Sequence, residues 1–369
     1  MIYDLVSTLP PTKQVNATSV TAQVAAIILG GGEGTRLYPL TLSRCKPAIS
    51  FGAKYRLIDV PISHCIHANL SHIYVITQFL SSSLHHHIAK TYMESGKSRG
   101  KIDLLTAEQR PAERNWYQGT ADAVRQNLDY LLESPAEYFL ILSGDQIYNM
   151  DLGALIQQAQ TMDADVTIAA LPVNTQDATR MGVLKMNEEG WMTHFHEKPQ
   201  AKELLLQLKS GCFPSLNSSS KEHFGSMGIY LFKRKILTYL LQTESGNDFG
   251  KHILPSALKR CRVAIFPYDG YWEDIGTISS FYHANMGLVG PSPLFDLHHE
   301  ERPIFSHQGD LAPTTFGDTY IYKSLIAEGG RIQAKEIRCS LVGPRSWVGA
   351  GTTVAESYLM GNDCDHSLV

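Results

Sequence analysis

A glycine-rich segment of this 369-residue chain has the composition of a phosphate-binding loop. Residues Gly30 to Leu40 read GGGEGTRLYPL and follow Val24 to Leu29, an apolar run with the length and β-branched content of a buried strand. Glycines leave backbone N–H groups open to a ligand, and consecutive N–H groups form a concave surface that favours an anion. Arg36 adds a positive charge beside them. The segment therefore predicts a site for a phosphate-bearing substrate.

The spacing within the loop excludes two common nucleotide-binding motifs. The dinucleotide motif G-x-G-x-x-G fails because Thr35 stands three residues after Gly32, and Glu33 interrupts the window that starts at Gly31. The Walker A motif fails because no Gly-Lys-Ser/Thr follows the loop. A glycine-rich connection between a strand and a helix, with no ligand, is the alternative interpretation.

Composition indicates a globular protein of about two to three domains. Hydrophobic residues make up 43% of the chain and charged residues 18%, which is enough apolar material for a sizeable core. The 32 basic and 36 acidic side chains give a formal charge of −4. This balance argues against nucleic acid or a membrane surface as the main partner, although a local basic pocket for phosphates remains compatible with it.

The cysteines show neither C-x-x-C spacing nor a metal-ligand pattern, and a reduced, cytoplasmic chain is expected. Residues 1–22 contain one basic residue and no apolar segment of signal-peptide type, so they are predicted to form a mobile leader. No apolar run approaches the length of a membrane span.

Alternating strand-like and helix-like patterns from Ala25 to Leu142 predict an α/β fold of Rossmann-like type, with a mainly parallel mixed sheet. Ligands in such sheets bind beyond the carboxyl ends of the strands. Asp145 follows directly on the apolar strand 138–142, so it stands where chemistry is expected. A simple capping role in the next turn is the alternative for Asp145.

Other polar residues also fall at predicted turns and helix starts. Asp274 lies just beyond the Asp269-Gly270 turn, where a helix-entry role is the alternative, and Thr120 is predicted to cap the next helix. Trp116 belongs to a long polar loop and offers either a flat surface for a base or sugar, or an aromatic ring that packs back on the domain. Residues 85–87 are three consecutive histidines that cannot share one helix face, so a metal site is not expected there.

The C-terminal part has a different periodicity. Val342, Val348 and Val354 recur every six residues, which is typical of a left-handed parallel β-helix, with an irregular β tail as the alternative. The predicted organisation is therefore a leader (1–22), a catalytic domain (23–291), a linker (292–313) and a short β-helix (314–369). Ile326 to Met360 corresponds to about two coils, so this domain is expected to need support from the catalytic domain or a neighbouring subunit.

Several separated motifs carry a family resemblance. The loop continues into Lys46-Pro47-Ala48, and the whole run GGGEGTRLYPLTLSRCKPA resembles the sugar-1-phosphate nucleotidyltransferases. Within them, the chain is most similar to the ADP-glucose pyrophosphorylases, through the motifs YRLIDVPIS, NWYQGTADAV, SGDQIYNMD, HEKPQ, SMGIY, NDFG and YWEDIGT.

The resemblance implies a reaction between ATP and glucose 1-phosphate that gives ADP-glucose and pyrophosphate, the activating step of glycogen and starch synthesis. It implies Mg²⁺ as cofactor, held by Asp145 and Asp274. The implied catalytic residues are Arg36, Lys46, Asp145 and Asp274. The implied nucleotide-binding residues are Gly31, Gly32, Gly34, Thr35, Gln78, Trp116, Gln118, Gly119 and Thr120. The implied sugar phosphate-binding residues are Gly182, Glu197, Lys198, Ser226 and Asp274.

Two residues depart from the family pattern. Gln146 stands where the family usually has His, and Ser43 stands where bacterial members often carry a Lys implicated in activator response. Regulation by anionic sugar phosphates is therefore in doubt, whereas a homotetramer is implied by the resemblance. The alternatives are another nucleoside triphosphate and sugar 1-phosphate pair, or a catalytically weak regulatory subunit. The second is disfavoured because Arg36 and Lys46 are both present.

Overall fold

A computed structural model describes residues 23–94, 100–108, 116–210, 221–290, 292–307 and 311–362. The predicted leader, residues 1–22, lies outside these ranges, as does Asn115 of the NWYQGTADAV motif.

The N-terminal part is built on a nine-stranded mixed sheet. Its strands are β1 (Val24–Leu29), β4 (His72–Thr77), β5 (Lys101–Thr106), β6 (Tyr138–Ser143), β8 (Val166–Val173), β9 (Gly182–Met186), β10 (Met192–Glu197), β11 (His223–Lys233) and β12 (Val263–Pro267). Two-stranded ladders join β2 (Ser50–Phe51) to β3 (Tyr55–Arg56), and β7 (Gln146–Tyr148) to β13 (Trp272–Asp274). The path through the main sheet is β10-β9-β11-β6-β1-β4-β5, with β8 paired to β11 and β12.

Four neighbouring strands, β6, β1, β4 and β5, run parallel, and β11 joins them antiparallel through β6. The predicted α/β class with a mainly parallel mixed sheet is therefore confirmed. The predicted hairpin is also present, because β9 and β10 pair antiparallel.

Helices cover both faces of this sheet. They are α1 (Asp59–His67), α2 (Ser82–Ile88), α3 (Thr120–Gln126), α4 (Leu128–Leu131), α5 (Leu152–Thr161), α6 (Thr175–Ala178), α7 (Lys202–Gln207), α8 (Arg234–Thr243), α9 (Leu254–Arg260) and α10 (Ile278–Met286). Short 3₁₀ turns occupy Thr35–Leu37 and Lys46–Ala48, and π turns occupy Ala89–Met93 and Phe249–Ile253.

The composition of β1 explains why both faces are covered. Successive strand residues point to opposite sides. Val24, Ala26 and Ile28 belong to one apolar cluster, whereas Ala25 and Ile27 belong to another on the opposite side. A continuous apolar run is what a parallel strand buried on both faces requires. The strand is thus fixed in the middle of the sheet, with its carboxyl end leading into the glycine-rich loop.

The C-terminal part forms a parallel β-helix of three strand rows. The rows are β14 (Thr315–Phe316), β17 (Arg331–Ile332) and β20 (Trp347–Val348), then β15 (Tyr320–Tyr322), β18 (Glu336–Arg338) and β21 (Thr353–Ala355), then β16 (Leu325–Ile326), β19 (Leu341–Val342) and β22 (Tyr358–Leu359). Val342, Val348 and Val354 stack inside it, as the six-residue spacing predicted.

The β-helix has one coil more than the six-residue spacing from Ile326 to Met360 indicated. The first coil begins at Thr315, which pairs with Arg331 and lies within the range predicted for this domain. The early coil escaped notice because β15 is exposed along its length, and its aromatic residues obscure the aliphatic period.

One face of the β-helix packs on the N-terminal part. Leu341 is fully buried in an apolar cluster that also contains Phe51 and Phe281. The ring of Phe281 stacks on Tyr358 with centroids 5.7 Å apart, and the hydroxyl of Tyr282 donates to the carbonyl of Glu356 over 2.8 Å. The predicted need for support is thus met within the chain.

The predicted linker is also tied down where it is described. Phe295 and Ile304 are buried in the same apolar cluster, and the hydroxyl of Ser306 donates to the buried carboxylate of Asp59 over 2.9 Å. This segment therefore packs against α1 and is hydrogen-bonded to it. The exact domain boundaries at residues 291 and 313 remain predictions.

None of the described helices is both long and apolar enough to cross a membrane. The cysteines in the described ranges, namely Cys45, Cys65, Cys261 and Cys339, carry free thiols.

A buried histidine on α1 makes the stability of the fold depend on pH. His64 is 2% exposed, and its Nδ1 lies 2.8 Å from the carbonyl oxygen of Val60, so Nδ1 donates the hydrogen bond. Burial lowers the pKa of His64 to about 4. The unfolded chain therefore binds more protons than the folded chain between that value and the ordinary pKa of about 6.5.

We expect the free energy of unfolding to fall as the pH falls through this window. The contribution of His64 is fully present above pH ~6.5 and decreases by about 2 kcal/mol between pH 7 and pH 5. Urea unfolding of His64→Asn should lack this part of the pH dependence, while the exposed His298→Asn variant should retain it. Equal pH dependence in His64→Asn and the parent protein would contradict the assignment.

Candidate active site

The carboxyl ends of three adjacent parallel strands meet at one edge of the sheet. The loop after β1 contains Gly30 to Gly34, the loop after β4 contains Gln78, and β6 ends at Ser143 shortly before Asp145. Crevices at such strand ends are the usual ligand sites of open α/β sheets. Asp145 thus lies beyond a strand end, where the sequence analysis expected chemistry.

The backbone of the glycine-rich loop is open on one side. Within the described ranges, no protein acceptor contacts the N–H groups of Gly31, Gly32 or Glu33. Gly34 has φ +66°, and a Cβ there would lie 2.9 Å from Thr41. Gly34 is therefore needed for the turn itself, and the free N–H groups beside it suit an anionic ligand.

Two carboxylates approach each other through the β7–β13 ladder. Asp274 pairs with Gln146 in that ladder, and the N–H of Ile275 donates to the carbonyl of Asp145 over 3.2 Å. The ammonium group of Lys46 contacts the carboxylate of Asp145 and lies 3.6 Å from that of Asp274. These three charged groups form the carboxylate–lysine centre of the site.

Burial and the charge of Asp145 raise the pKa of Asp274, against the opposing effect of Lys46 and Arg36. Because 45% of the Asp274 side chain is exposed, solvent screens part of this repulsion. Burial disfavours the charged form of Lys46, but Asp145 and Asp274 outweigh it, so the pKa of Lys46 is raised. The centre therefore keeps a fixed cation between two carboxylates.

This donor set fits Mg²⁺. The ion typically binds one or two protein carboxylates and completes its shell with water and substrate phosphates. Asp145 and Asp274 provide two such oxygen donors, and their mutual repulsion is relieved by a cation. Across the described ranges, no cluster of three or more His, Cys, Asp or Glu side chains forms a site enclosed by protein alone.

A cavity of about 460 Å³ lies on one side of the centre. Its walls include Gly31, Gly32, Gln78, Gly119, Thr120 and Asp145. Gly119 is required where it stands, because a Cβ there would lie 2.3 Å from the carbonyl oxygen of Asn247. Thr120 is the first residue of α3 and does not cap it, which corrects the prediction. The carbonyl of Asn247 instead accepts from the N–H groups of Ala121 and Asp122.

A second cavity of about 510 Å³ lies on the other side of the centre. Its walls include Arg36, Gly182, Glu197, Lys198, Ser226 and Asp274. The carboxylate of Glu197 fits between two glycines, since a Cβ at Gly182 would lie 2.9 Å from Glu197 Oε2 and one at Gly250 would lie 2.7 Å from it. Burial raises the pKa of Glu197, and the nearby charge of Asp248 acts in the same direction. The positive charge of Lys198 opposes this increase in the pKa but does not cancel it.

The backbone holds Lys198 in an uncommon conformation. Lys198 has φ +49°, and its N–H donates to the carbonyl of Met181 over 2.9 Å. Left-handed backbone at a non-glycine residue costs on the order of 1 kcal/mol and clusters at functional sites. The side chain is 58% exposed and lines the second cavity, so its ammonium group is accessible to a ligand.

Some predicted residues lie outside the two cavity walls. They are Gly34, Thr35, Trp116 and Gln118 for the nucleotide side, and Lys46 for the charged centre. Trp116 is 51% exposed and stacks on Phe79, which does line the first cavity. The amide of Gln118 donates to the carbonyl of Trp116. Binding roles for these residues stay predictions.

Several wall residues were not among the predicted site residues. Gln146, Tyr230, Asp248, Phe249 and Gly250 line the first cavity, and Arg180, Trp272, Glu273, Thr277 and Ser280 line the second. The signal for some of them was present, since Tyr230 belongs to SMGIY, Asp248 to NDFG and Trp272 to YWEDIGT. What the sequence alone did not supply was which of these side chains face the cavities.

Comparison with known families agrees with this arrangement. Residues 25–289 match the model of the nucleotidyl transferase family. The chain belongs to that family. Residues 310–368 of this nucleotidyl transferase match the GLGC left-handed parallel beta-helix domain. The two domains together are the architecture of ADP-glucose pyrophosphorylases and related sugar-1-phosphate nucleotidyltransferases, which confirms the resemblance and the left-handed β-helix.

Proposed function

We propose that this nucleotidyl transferase converts ATP and glucose 1-phosphate into ADP-glucose and pyrophosphate, the step that activates glucose for glycogen or starch synthesis. The observation that carries the proposal is the pair of cavities that meet beside the carboxylate–lysine centre. One cavity has a glycine-rich wall suited to a nucleotide, and the other has Lys198 and Glu197 suited to a sugar phosphate.

The proposed reaction is an in-line displacement at phosphorus. A phosphate oxygen of glucose 1-phosphate forms a bond to the α-phosphorus of ATP, while the bond from that phosphorus to the oxygen bridging the β-phosphate breaks. The nucleophile is already an anion, so no strong general base is needed, and positioning with charge neutralisation supplies the catalysis.

Each charged residue then has one task. Lys198 pairs with the phosphate of glucose 1-phosphate, and Glu197 accepts hydrogen bonds from glucose hydroxyls. Arg36 and Lys46 neutralise the pyrophosphate as its charge grows. Asp145 and Asp274 would hold Mg²⁺, which when bound would neutralise charge between the α-phosphate and the leaving group.

A pyrophosphate-release assay across ATP, GTP, CTP, UTP and dTTP, each with glucose 1-phosphate, tests the proposal. We expect ATP to give the highest kcat/KM. A preference for another nucleotide would keep the reaction class and replace the base assignment. Absence of pyrophosphate release with all five would contradict the proposal and favour a regulatory subunit.

Lys198→Ala should mainly raise the KM for glucose 1-phosphate and leave that for ATP nearly unchanged. A single ammonium lost from one phosphate should weaken its binding by on the order of 2 to 4 kcal/mol. The exposed Lys202→Ala variant controls for loss of a nearby positive charge. An equal rise in the KM for ATP would assign Lys198 to the nucleotide side and contradict this division of the cavities.

A further inference from the structure

Gln146 lies where the two cavities meet. It directly follows Asp145, is 6% exposed, and lines both the first and the second cavity. Only three other described wall residues are shared in this way, namely Glu197, Gly228 and Tyr230. A polar side chain at this junction can contact whatever spans the two substrates.

The orientation of the Gln146 amide is fixed by Trp272. The indole N–H of Trp272 donates to Oε1 of Gln146 over 3.3 Å. An indole nitrogen has a hydrogen to give and no lone pair to accept with, so only the amide oxygen can face it. Rotating the amide by half a turn would set two N–H groups against each other. The amide nitrogen therefore points away from Trp272.

The nitrogen side of the amide faces a glycine. Gly228 has φ +73°, and a Cβ there would lie 3.1 Å from Nε2 of Gln146. Gly228 lies where the pairing of β11 with β8 shifts register between Ser226 and Tyr230. For the part of the chain that is described, no protein acceptor contacts Nε2. The irregularity thus leaves an amide donor open toward the shared space.

The neighbouring charges indicate which acceptor suits this donor. Arg36 and Lys198 line the second cavity. In the proposed function, Arg36 neutralises the pyrophosphate and Lys198 pairs with the phosphate of glucose 1-phosphate. A neutral amide is matched to a neutral oxygen. Glu197, on the same junction, is an acceptor and needs a donor from the ligand. A hydroxyl group is able to accept from Gln146 while it donates to Glu197 or another oxygen.

We propose that Gln146 is a specificity-determining residue whose amide N–H donates to a ring hydroxyl of the sugar phosphate, and that Trp272 is the positioning residue that orients this amide. The inference rests on the proposed function and deepens it. Loss of one substrate hydroxyl would leave the amide nitrogen of the nearly buried Gln146 unpaired, and sites built to pair such a group discriminate against analogues that lack it.

The experiment measures kcat/KM for glucose 1-phosphate and for its 2-, 3-, 4- and 6-deoxy analogues, in the parent protein and in Gln146→Met. Met has a similar length and no amide. We expect the parent protein to disfavour one deoxy analogue by ~10- to 100-fold more than Gln146→Met does. Discrimination at the other positions should stay unchanged, and the KM for ATP should change little.

Two further variants separate this effect from a general loss of fold. Trp272→Phe keeps the aromatic ring but removes the indole N–H, so it should reduce discrimination at the same hydroxyl to an intermediate value. Gln157→Met makes the same chemical change at an exposed position on α5 and should leave all ratios as in the parent protein.

The outcomes separate this inference from the proposed function. If the parent protein is active and Gln146→Met and Trp272→Phe both keep every discrimination ratio, the inference is overturned and the function stands. If the parent protein turns over no sugar 1-phosphate, both are overturned. The assignment is supported if both variants lose discrimination at the same single hydroxyl, with a larger loss in Gln146→Met than in Trp272→Phe.

Discussion

Asp145→Asn is expected to lower kcat by about 10³-fold while the protein remains folded, which is the upper end of the range for removing one preorganised electrostatic contact. Asp145 follows the end of β6, contacts Lys46 and lines the first cavity, while Asp274, which shares Lys46, lines the second. These are the two carboxylates that we propose to hold Mg²⁺. An amide in place of the Asp145 carboxylate removes the negative charge that would hold Mg²⁺ and leaves Lys46 without its closest partner.

The measurement is steady-state kinetics with circular dichroism on the same samples. Asp129→Asn, an exposed carboxylate on α4, is the matched control and should retain parent activity. The loss should fall on kcat more than on the KM for either substrate, because the charge acts mainly as the leaving group departs. Near-parent kcat in a folded Asp145→Asn protein would end the assignment of this residue.

Removing the β-helix is expected to have the second large effect. A chain that stops after Pro313 would uncover Phe51, Phe281 and their apolar neighbours, which now pack against Leu341 and Tyr358. Exposed apolar patches of this kind promote aggregation. We expect size-exclusion light scattering to show that the shortened protein aggregates, or that it loses the oligomer implied by the family resemblance.

Point variants in the full-length chain test the same contact more gently. Leu341→Asp buries a carboxylate in the apolar face and should destabilise the packing of the β-helix on the catalytic domain. The control is Trp347→Ala, because the side chain of Trp347 is 81% exposed on the β-helix. This variant should leave the packing of the β-helix on the catalytic domain unchanged. A soluble, fully active protein after both the deletion and Leu341→Asp would show that the β-helix has no structural part.

Local sequence patterns predicted much of the fold because each pattern reflects the burial of apolar side chains. The apolar run at β1 needs burial on both faces, so its place in a parallel sheet followed from composition. The six-residue period of Val342, Val348 and Val354 likewise admits few packings. The predicted β-helix range included Thr315 to Ile326, but the sequence did not show a complete coil there, because most of its strand residues are exposed and carry no such period.

The site was predictable in residue type and less so in arrangement. Asp145 and Asp274 are far apart in the sequence, and only the β7–β13 ladder shows that they share Lys46. The burial of Lys46 beside Asp145 and Asp274 and the orientation of Gln146 by Trp272 depend on tertiary contacts. These contacts join residues that are far apart in the sequence, so local patterns and propensities do not predict them.

The most direct test of the central claim follows phosphorus through the reaction. The protein is incubated with glucose 1-phosphate and Mg²⁺, and with ATP carrying a radioactive label at either the α- or the γ-phosphorus. We predict that the α label appears in a sugar nucleotide and the γ label in pyrophosphate, with both products lost in Asp145→Asn. Transfer of the γ label to the sugar phosphate, or its release as orthophosphate, would contradict the proposed nucleotidyl transfer.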